Sequence, residues 1–169
     1  MIRTGIGYDV HRFCKGRRLV LGGIEIPFEE GLAGHSDADV LLHAMCDAML
    51  GGIGEGDIGQ HFPDHDIRFK DISSMRLLED VAGLLKRRGF ILLNIDSTII
   101  AERPRVSGFV MGMRENISGL LGLDIGCVNI KATTNEGLGF IGRGEGIAAQ
   151  AVCTVRKADS TDDADPSLI

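Results

Sequence analysis

Asp9 and His11 stand two residues apart in the stretch Gly5-Ile6-Gly7-Tyr8-Asp9-Val10-His11. In an extended strand, residues i and i+2 project to the same face, so a carboxylate and an imidazole lie side by side, half of a metal site. A third ligand is available from His43, one turn into an expected helix, or from His35, just before that helix. Three ligands of His and carboxylate type with a fourth position open make the pattern of a catalytic zinc. Asp39 and Asp47 lie four residues either side of His43 on the same helix face, and either is placed to orient its imidazole. A lone Asp-x-His pair is more often a turn cap beside surface histidines. Two further histidines beside a helix start strengthen the metal reading.

Two other stretches carry chemistry. The run Gly54-Glu55-Gly56-Asp57-Ile58-Gly59-Gln60-His61-Phe62-Pro63-Asp64-His65-Asp66 combines glycines, which let a ligand approach the backbone, with carboxylates that accept from polyol hydroxyls. An acidic solvated turn would look the same. The run from Lys131 to Gly146 follows an expected strand. It offers the hydroxyls of Thr133 and Thr134, backbone N–H groups among glycines, and Arg143, all suited to phosphate oxygens. Glu136 there suits a hard ion of the Mg²⁺ type held together with phosphates. The run is not a P-loop, because no G-x-x-x-x-G-K-[ST] is present.

No serine or cysteine sits in a recognisable nucleophile setting. For phosphate chemistry this is no defect. A phosphate monoester is largely ionised at neutral pH and can itself attack, leaving the protein to orient it and neutralise charge.

The elements that must position these groups follow from pattern. A hairpin is expected over Arg18 to Pro27 around Gly22-Gly23. A helix is expected from about Ala38 to Leu50, capped by Ser36 or Asp37, with Asp39 in its first turn and Gly51-Gly52 as its stop. Ile53 to Lys70 lacks periodicity, and a run of this length is more often functional than filler. A second helix is expected over Ser73 to Arg88, with Met75, Leu78, Val81, Ala82 and Leu85 on its buried face. Strands are expected over Phe90–Ala101, Cys127–Thr133 and Gly146–Lys157, and a third helix over Val106–Leu121. These elements make one α+β domain over residues 1–157, a mixed sheet with helices packed on one face. Residues 158–169 are acidic and polar and are expected to be a disordered tail.

The bulk composition narrows the partners. The net charge is −6, Trp is absent, and no basic run stands out beyond Lys86-Arg87-Arg88, which argues against nucleic acid. No apolar run approaches membrane-spanning length, and the first residues do not resemble a signal peptide. The widely spaced Cys14, Cys46, Cys127 and Cys153 suit free thiols in a reducing compartment, so a cytoplasmic location is expected.

Five motifs, in order, carry a resemblance: G-x-D-x-H at Gly7 to His11, H-S-D-x-D at His35 to Asp39, G-D-I-G at Gly56 to Gly59, F-P-D at Phe62 to Asp64, and K-A-T-T-x-E with G-F-x-G-R-G-E-G between Lys131 and Gly146. From Ile2 to Lys157 the chain resembles the 2-C-methyl-D-erythritol 2,4-cyclodiphosphate synthases of the non-mevalonate isoprenoid pathway. The resemblance implies that Asp9, His11 and His43 bind Zn²⁺ and that Glu136 binds a second ion, Mg²⁺ or Mn²⁺. His35 and Thr134 would be the catalytic residues, one placing the erythritol phosphate and the other stabilising the transition state. Substrate contacts would come from Asp9, Val10, His11, His35 and Ser36, from Asp57, Ile58, Gly59, Phe62, Pro63, Asp64, His65 and Asp66, and from Ala101, Glu102, Arg103, Pro104, Arg105, Val106 and Ser107. Thr133, Thr134, Asn135, Glu136, Phe140 and Arg143 would complete them.

The resemblance further implies a homotrimer with active sites between subunits. A cavity on its axis, formed by Tyr8, Gly139, Phe140, Arg143 and Glu145, would accept an isoprenoid diphosphate. The reaction would be metal-assisted attack of the substrate's 2-phosphate on its β-phosphate, with CMP as the second product. Asn135 and Gly137 stand where the family often has a threonine and a lysine. Two other readings give different products. A zinc phosphodiesterase would yield a linear phosphate, and a non-catalytic trimer that senses isoprenoid diphosphates would yield none.

Overall fold

Strand β1 (Ile2–Cys14) is built to run directly beneath a helix. Its Gly5 and Gly7 are buried, whereas Ile6 and Tyr8 between and beyond them face outward. A Cβ on Gly7 would stand 2.0 Å from the Ala44 carbonyl oxygen, and one on Gly5 would stand 1.9 Å from that of Ala48. No residue larger than glycine fits a strand this close to a helix backbone. The helix is α1 (Val40–Ile53), apolar almost all round and accordingly buried almost all round.

The computed structural model describes residues 1–159; positions 160–169, which hold most of the expected acidic tail, lie outside the described residues. After β1 come the hairpin strands β2 (Leu19–Leu21) and β3 (Ile24–Ile26), paired as expected around Gly22-Gly23. The short β4 (Gly31–Leu32) leads towards α1. Then follow α2 (Ile58–His61), α3 (Ser74–Arg87), β5 (Phe90–Ile100), α4 (Val110–Leu121), β6 (Val128–Thr133), α5 (Gly139–Gly142) and β7 (Gly146–Lys157). The main sheet has the order β4-β1-β7-β5-β6. Only β5 and β6 pair in parallel, so the sheet is mixed. Its inner face (Ile95, Ile99, Ile147, Ala149, Ala151, Cys153) is covered by α1, α3 and α4. The opposite face leaves Ile6, Tyr8, Val10 and Val152 exposed.

Several local expectations change. Neither Ser36 nor Asp37 caps α1. Asp39 does, accepting from Leu42 N at 3.2 Å with one carboxylate oxygen and from Gly23 N at 2.8 Å with the other. One fully buried carboxylate thus ties the helix start to the hairpin turn. Burial pushes its pKa up to about 6, helped by the charge of Asp37 and opposed by backbone N–H donors of Gly23, Gly22 and Leu42. Gly51-Gly52 does not stop α1 either. A Cβ on Gly52 would meet the side chains of Val155 and Cys153, so this glycine serves close packing on the sheet. The stop is Gly54, in the left-handed region at φ 78°.

The second helix buries Leu77 in addition to Leu78, Val81 and Leu85, while Met75 and Ala82 are only partly buried. The third begins at Val110, preceded by a 3-10 turn over Ser107–Phe109. Residues 53–70 are ordered by α2 and a 3-10 turn at Ile67–Phe69, each capped by an aspartate, Asp57 and Asp66.

Candidate metal and phosphate site

Strand alternation brings Asp9 and His11 to the α1 face of β1, and the close approach at Gly7 sets them beside His43. Asp9 Oδ2 lies 2.9 Å from His11 Nε2 and 3.0 Å from His43 Nδ1, and the two ring nitrogens lie 3.1 Å apart. The strand continues past the pair to Cys14, so the site sits against the sheet and not at a strand end. Four ligands at about 2.0–2.1 Å around a tetrahedral ion stand roughly 3.3 Å from one another. The triangle of ligand atoms matches three corners of such a set, so a divalent cation fits the donor set. His43, not His35, supplies the third corner among the described residues.

The protonation states agree with this packing. Burial alone would raise the Asp9 pKa, but hydrogen bonds and charge from His11 and His43 hold it far below the usual carboxylate range. Burial works against the charged form of His11, yet the hydrogen bond and charge of Asp9 raise its pKa, with smaller contributions from Ala33 and Asp64.

The expected partners of His43 on its own helix are not its partners. Asp39 is occupied as the cap, and Asp47 accepts from Ile58 N at 2.7 Å, holding the start of α2. His43 Nε2 instead lies 2.9 Å from Ser74 Oγ and 3.1 Å from Ser36 Oγ. Sequence spacing could not give Ser74, because it reaches the site only through the packing of α3 on α1.

The loop before α1 closes one side of a cavity of about 370 Å³. Arg17 donates to Gly34 O at 2.7 Å and also to Ser36 O, gripping the loop on both sides of His35. His35 Nε2 lies 3.1 Å from Asp66 O, joining this loop to the one after α2. The cavity wall contains Asp9, His11, His35, Ser36, His43, Ile58, Gly59, Phe62 and Asp64, all expected, and also Ala33, Gly34, Phe69, Ile72 and Leu77, which were not. The last three are apolar side chains from a 3-10 turn, a loop and α3, and only the fold shows that they face one cavity.

A second cavity, of about 400 Å³, lies at the far ends of β5 and β6. It is lined by Ala101, Glu102, Pro104, Arg105, Val106, Ser107, Thr133, Thr134 and Glu136, together with Ile99 and Ala132. Glu102 Oε1 accepts from Asn135 N at 2.9 Å and from Gly137 N at 3.1 Å, so it holds the turn that carries Glu136. Thr134 Oγ1 donates to Glu136 Oε1 at 3.1 Å. The two cavities share no lining residue.

Residues 2–156 match the model of the YgbB family. The chain belongs to the YgbB family. A relative named 2-C-methyl-D-erythritol 2,4-cyclodiphosphate synthase, from Syntrophomonas wolfei, is 57% identical over 157 residues, which is 93% of this chain and 100% of that protein. A solved structure described as bifunctional IspDF from Campylobacter jejuni superposes with a TM-score of 0.91 at 45% identity; 95% of this chain is covered but only 44% of that longer one. A CDP complex of IspF from Plasmodium falciparum superposes with a TM-score of 0.81 at 30% identity, covering 94% of this chain and 97% of that one.

In this YgbB chain the remaining expected site residues lie outside the two cavity walls. Val10 is on the open face of β1, and its N–H donates to Asp9 Oδ1 at 2.8 Å. Asp57 caps α2 and also accepts from the Gln60 side chain at 2.8 Å. Asp66 is paired with Arg68, and Pro63 and His65 lie between these anchors. Arg103 stacks over Phe28, and the Asn135 side chain donates to Leu138 O at 2.9 Å. Tyr8 and Phe140 are about half exposed, Gly139 opens α5, and Arg143 pairs with Glu145 at 2.6 Å.

Proposed function

We infer that this chain closes 4-diphosphocytidyl-2-C-methyl-D-erythritol 2-phosphate into 2-C-methyl-D-erythritol 2,4-cyclodiphosphate with release of CMP, a step of isoprenoid precursor synthesis. The observation that carries this reading is the Asp9–His11–His43 triangle opening into a cavity, in a chain 57% identical to a synthase of that name across its whole length.

The reaction is internal phosphoryl transfer. An oxygen of the 2-phosphate forms a bond to the β-phosphorus, the bond from that phosphorus to the bridging oxygen breaks, and CMP departs with the bridging oxygen. No water is consumed. The nucleophile is already ionised at neutral pH, which accounts for a site with no serine or cysteine nucleophile. Orientation is then the main task, and well-aligned intramolecular reactions can gain about 7–11 kcal/mol from it. His35 and Ser36, fixed by the Arg17 grip, would place the erythritol phosphate. Ile58, Gly59, Phe62 and Asp64 would wall the methylerythritol unit. The second cavity would take the cytidine and its phosphates, with Thr134 steadying charge on the transferring group.

Asp9, His11 and His43 would hold zinc, and Glu136 would hold Mg²⁺ or Mn²⁺. The positive charge of such ions offsets repulsion between the two phosphates that must meet. Because one chain's cavities share no wall, we place the complete site between neighbouring subunits of a homotrimer. The exposed apolar residues Ile6, Tyr8, Val10 and Val152 support burial of the open sheet face in that assembly. Tyr8, Gly139, Phe140, Arg143 and Glu145 would then border an axial cavity suited to an isoprenoid diphosphate. All four cysteines are free, which suits a cytoplasmic setting. Among the described residues, no helix is long and apolar enough to cross a membrane.

The test is phosphorus NMR of the purified protein with the CDP-linked substrate, with and without chelator. Formation of CMP and a cyclic diphosphate, stopped by chelator, is the expected result. A linear phosphate would make water the nucleophile, and untouched substrate beside zinc-loaded protein would favour a sensor.

A further inference from the structure

His43 has one ring nitrogen for the ligand triangle and one for the protein interior, and the interior partners decide which carries the proton. Asp37 accepts from Ser74 N at 3.0 Å and from Asp39 N at 3.2 Å, and it also accepts the Ser74 hydroxyl proton. Two of these donors are backbone N–H groups, which can only donate, so the Asp37 oxygens act as acceptors and the direction of this chain is fixed. The Ser74 hydroxyl is committed to Asp37, and Ser74 Oγ presents a lone pair to His43 Nε2 at 2.9 Å. His43 Nε2 must therefore donate, which makes Nδ1, 3.0 Å from Asp9 Oδ2 and 3.1 Å from His11 Nε2, the nitrogen left to give up its proton and ligate an ion. Ser74 is fully buried. Ser36 Oγ, which accepts from Ala38 N at 3.1 Å, also lies 3.1 Å from the same nitrogen.

We propose that Asp37 and Ser74 are positioning residues of the metal site, a carboxylate–hydroxyl relay that fixes the tautomer and ring plane of His43. The relay joins the loop before α1, the first residue of α3 and the body of α1, so it also sets the spacing of elements that enclose the cavity. This rests on the reading of Asp9, His11 and His43 as metal ligands. Outer partners of ligating histidines raise ligand basicity and typically govern metal affinity by about 10–100-fold.

The experiment measures zinc affinity by competition with a chromophoric chelator, without substrate, and records the visible spectrum of the cobalt(II)-substituted protein. Ser74→Ala is expected to weaken zinc binding by about 10–100-fold and to alter the cobalt bands. Ser74→Thr, which keeps the hydroxyl, is expected to recover most of both. The cap of α3 is Ser73, whose hydroxyl accepts from Met75 N, so Ser74→Ala should leave the helix formed. A folded Ser74→Ala protein with affinity within about twofold of the parent and an unchanged cobalt spectrum would overturn the relay while leaving the metal site standing. If Ser74→Ala does not fold, the isosteric Asp37→Asn decides: weaker zinc binding supports the relay, and unchanged binding overturns it. A parent protein that takes up no zinc would remove the metal reading and the relay with it.

Discussion

Replacing Gly7 by alanine tests how the metal triangle is built. The new Cβ would lie 2.0 Å from Ala44 O, 2.6 Å from Ala48 N and 2.9 Å from Asp47 Cβ. Two of these atoms are helix backbone and cannot turn aside. Moving the worst contact to an ordinary 3.4 Å separates β1 from α1 by about 1.4 Å. Asp9 and His11 ride on the strand and His43 on the helix, so the 3.0 Å edge from Asp9 to His43 would open to about 4.4 Å. No ion with ligand bonds near 2.1 Å reaches both atoms across that gap. Overpacking costs typically about 1–3 kcal/mol, and a clash with backbone belongs at the upper end. The entropy gained by replacing glycine in the unfolded chain, about 0.4–1 kcal/mol, does not offset it. A loss of about 3 kcal/mol lowers Tm by roughly 6–12 °C in a chain of this size. The assays are thermal unfolding at fixed protein concentration, zinc stoichiometry and turnover. Gly119→Ala, on an exposed part of α4 where an added Cβ meets nothing within 4 Å, is the control and should be neutral or stabilising by up to about 1 kcal/mol. If Gly7→Ala keeps its zinc, its activity and its Tm, the close strand–helix contact does not set the ligand spacing.

Three further outcomes are expected. His43→Ala should remove zinc and turnover while circular dichroism stays unchanged; full activity would disprove the ligand assignment. Glu136→Gln should chiefly weaken the response to added Mg²⁺ or Mn²⁺, and an unaltered metal titration would count against a second ion there. Zinc uptake at neutral pH should release a proton and weaken as pH falls, because the His11 pKa is raised and the metal must displace that proton. Calorimetry in buffers of different ionisation heat reads this directly. The same groups set the pH dependence of the metal-free fold. The contribution of His11 is present below its unfolded value of 6.5 and fades as pH rises through its raised folded value. That of Asp9, whose pKa is depressed, is present above 3.8 and fades as pH falls. Metal-free protein should therefore gain most from this pair between about pH 4 and 6.5, and chemical denaturation across that range measures it.

Local pattern in the chain was enough for much of this. Strand alternation predicts that Asp9 and His11 share a face, the Gly22-Gly23 hairpin is legible from its turn, and the helix carrying His43 is legible from its apolar run. These are short-range rules, in which the backbone period fixes where neighbouring side chains point. The motifs also pointed to many residues of the first cavity wall and to Thr133, Thr134 and Glu136 of the second, whereas the stretch from Ala101 to Ser107 in the second wall came only from the family resemblance.

What the chain could not state locally depends on contacts between distant segments. Asp39 reads as a first-turn acid, but it is a buried cap because the hairpin turn brings Gly23 N to its second oxygen. Gly52 reads as a stop, but it is a packing contact because α1 crosses β7 there. Asp39 and Asp47 are the natural partners of His43 by helix spacing, yet each is claimed by another segment, and Ser74 from α3 takes the place they leave. The choice of His43 over His35 as third ligand has the same origin. Both histidines are near the helix start in sequence, and only the approach of Gly7 to Ala44 decides which imidazole stands within 3.1 Å of His11.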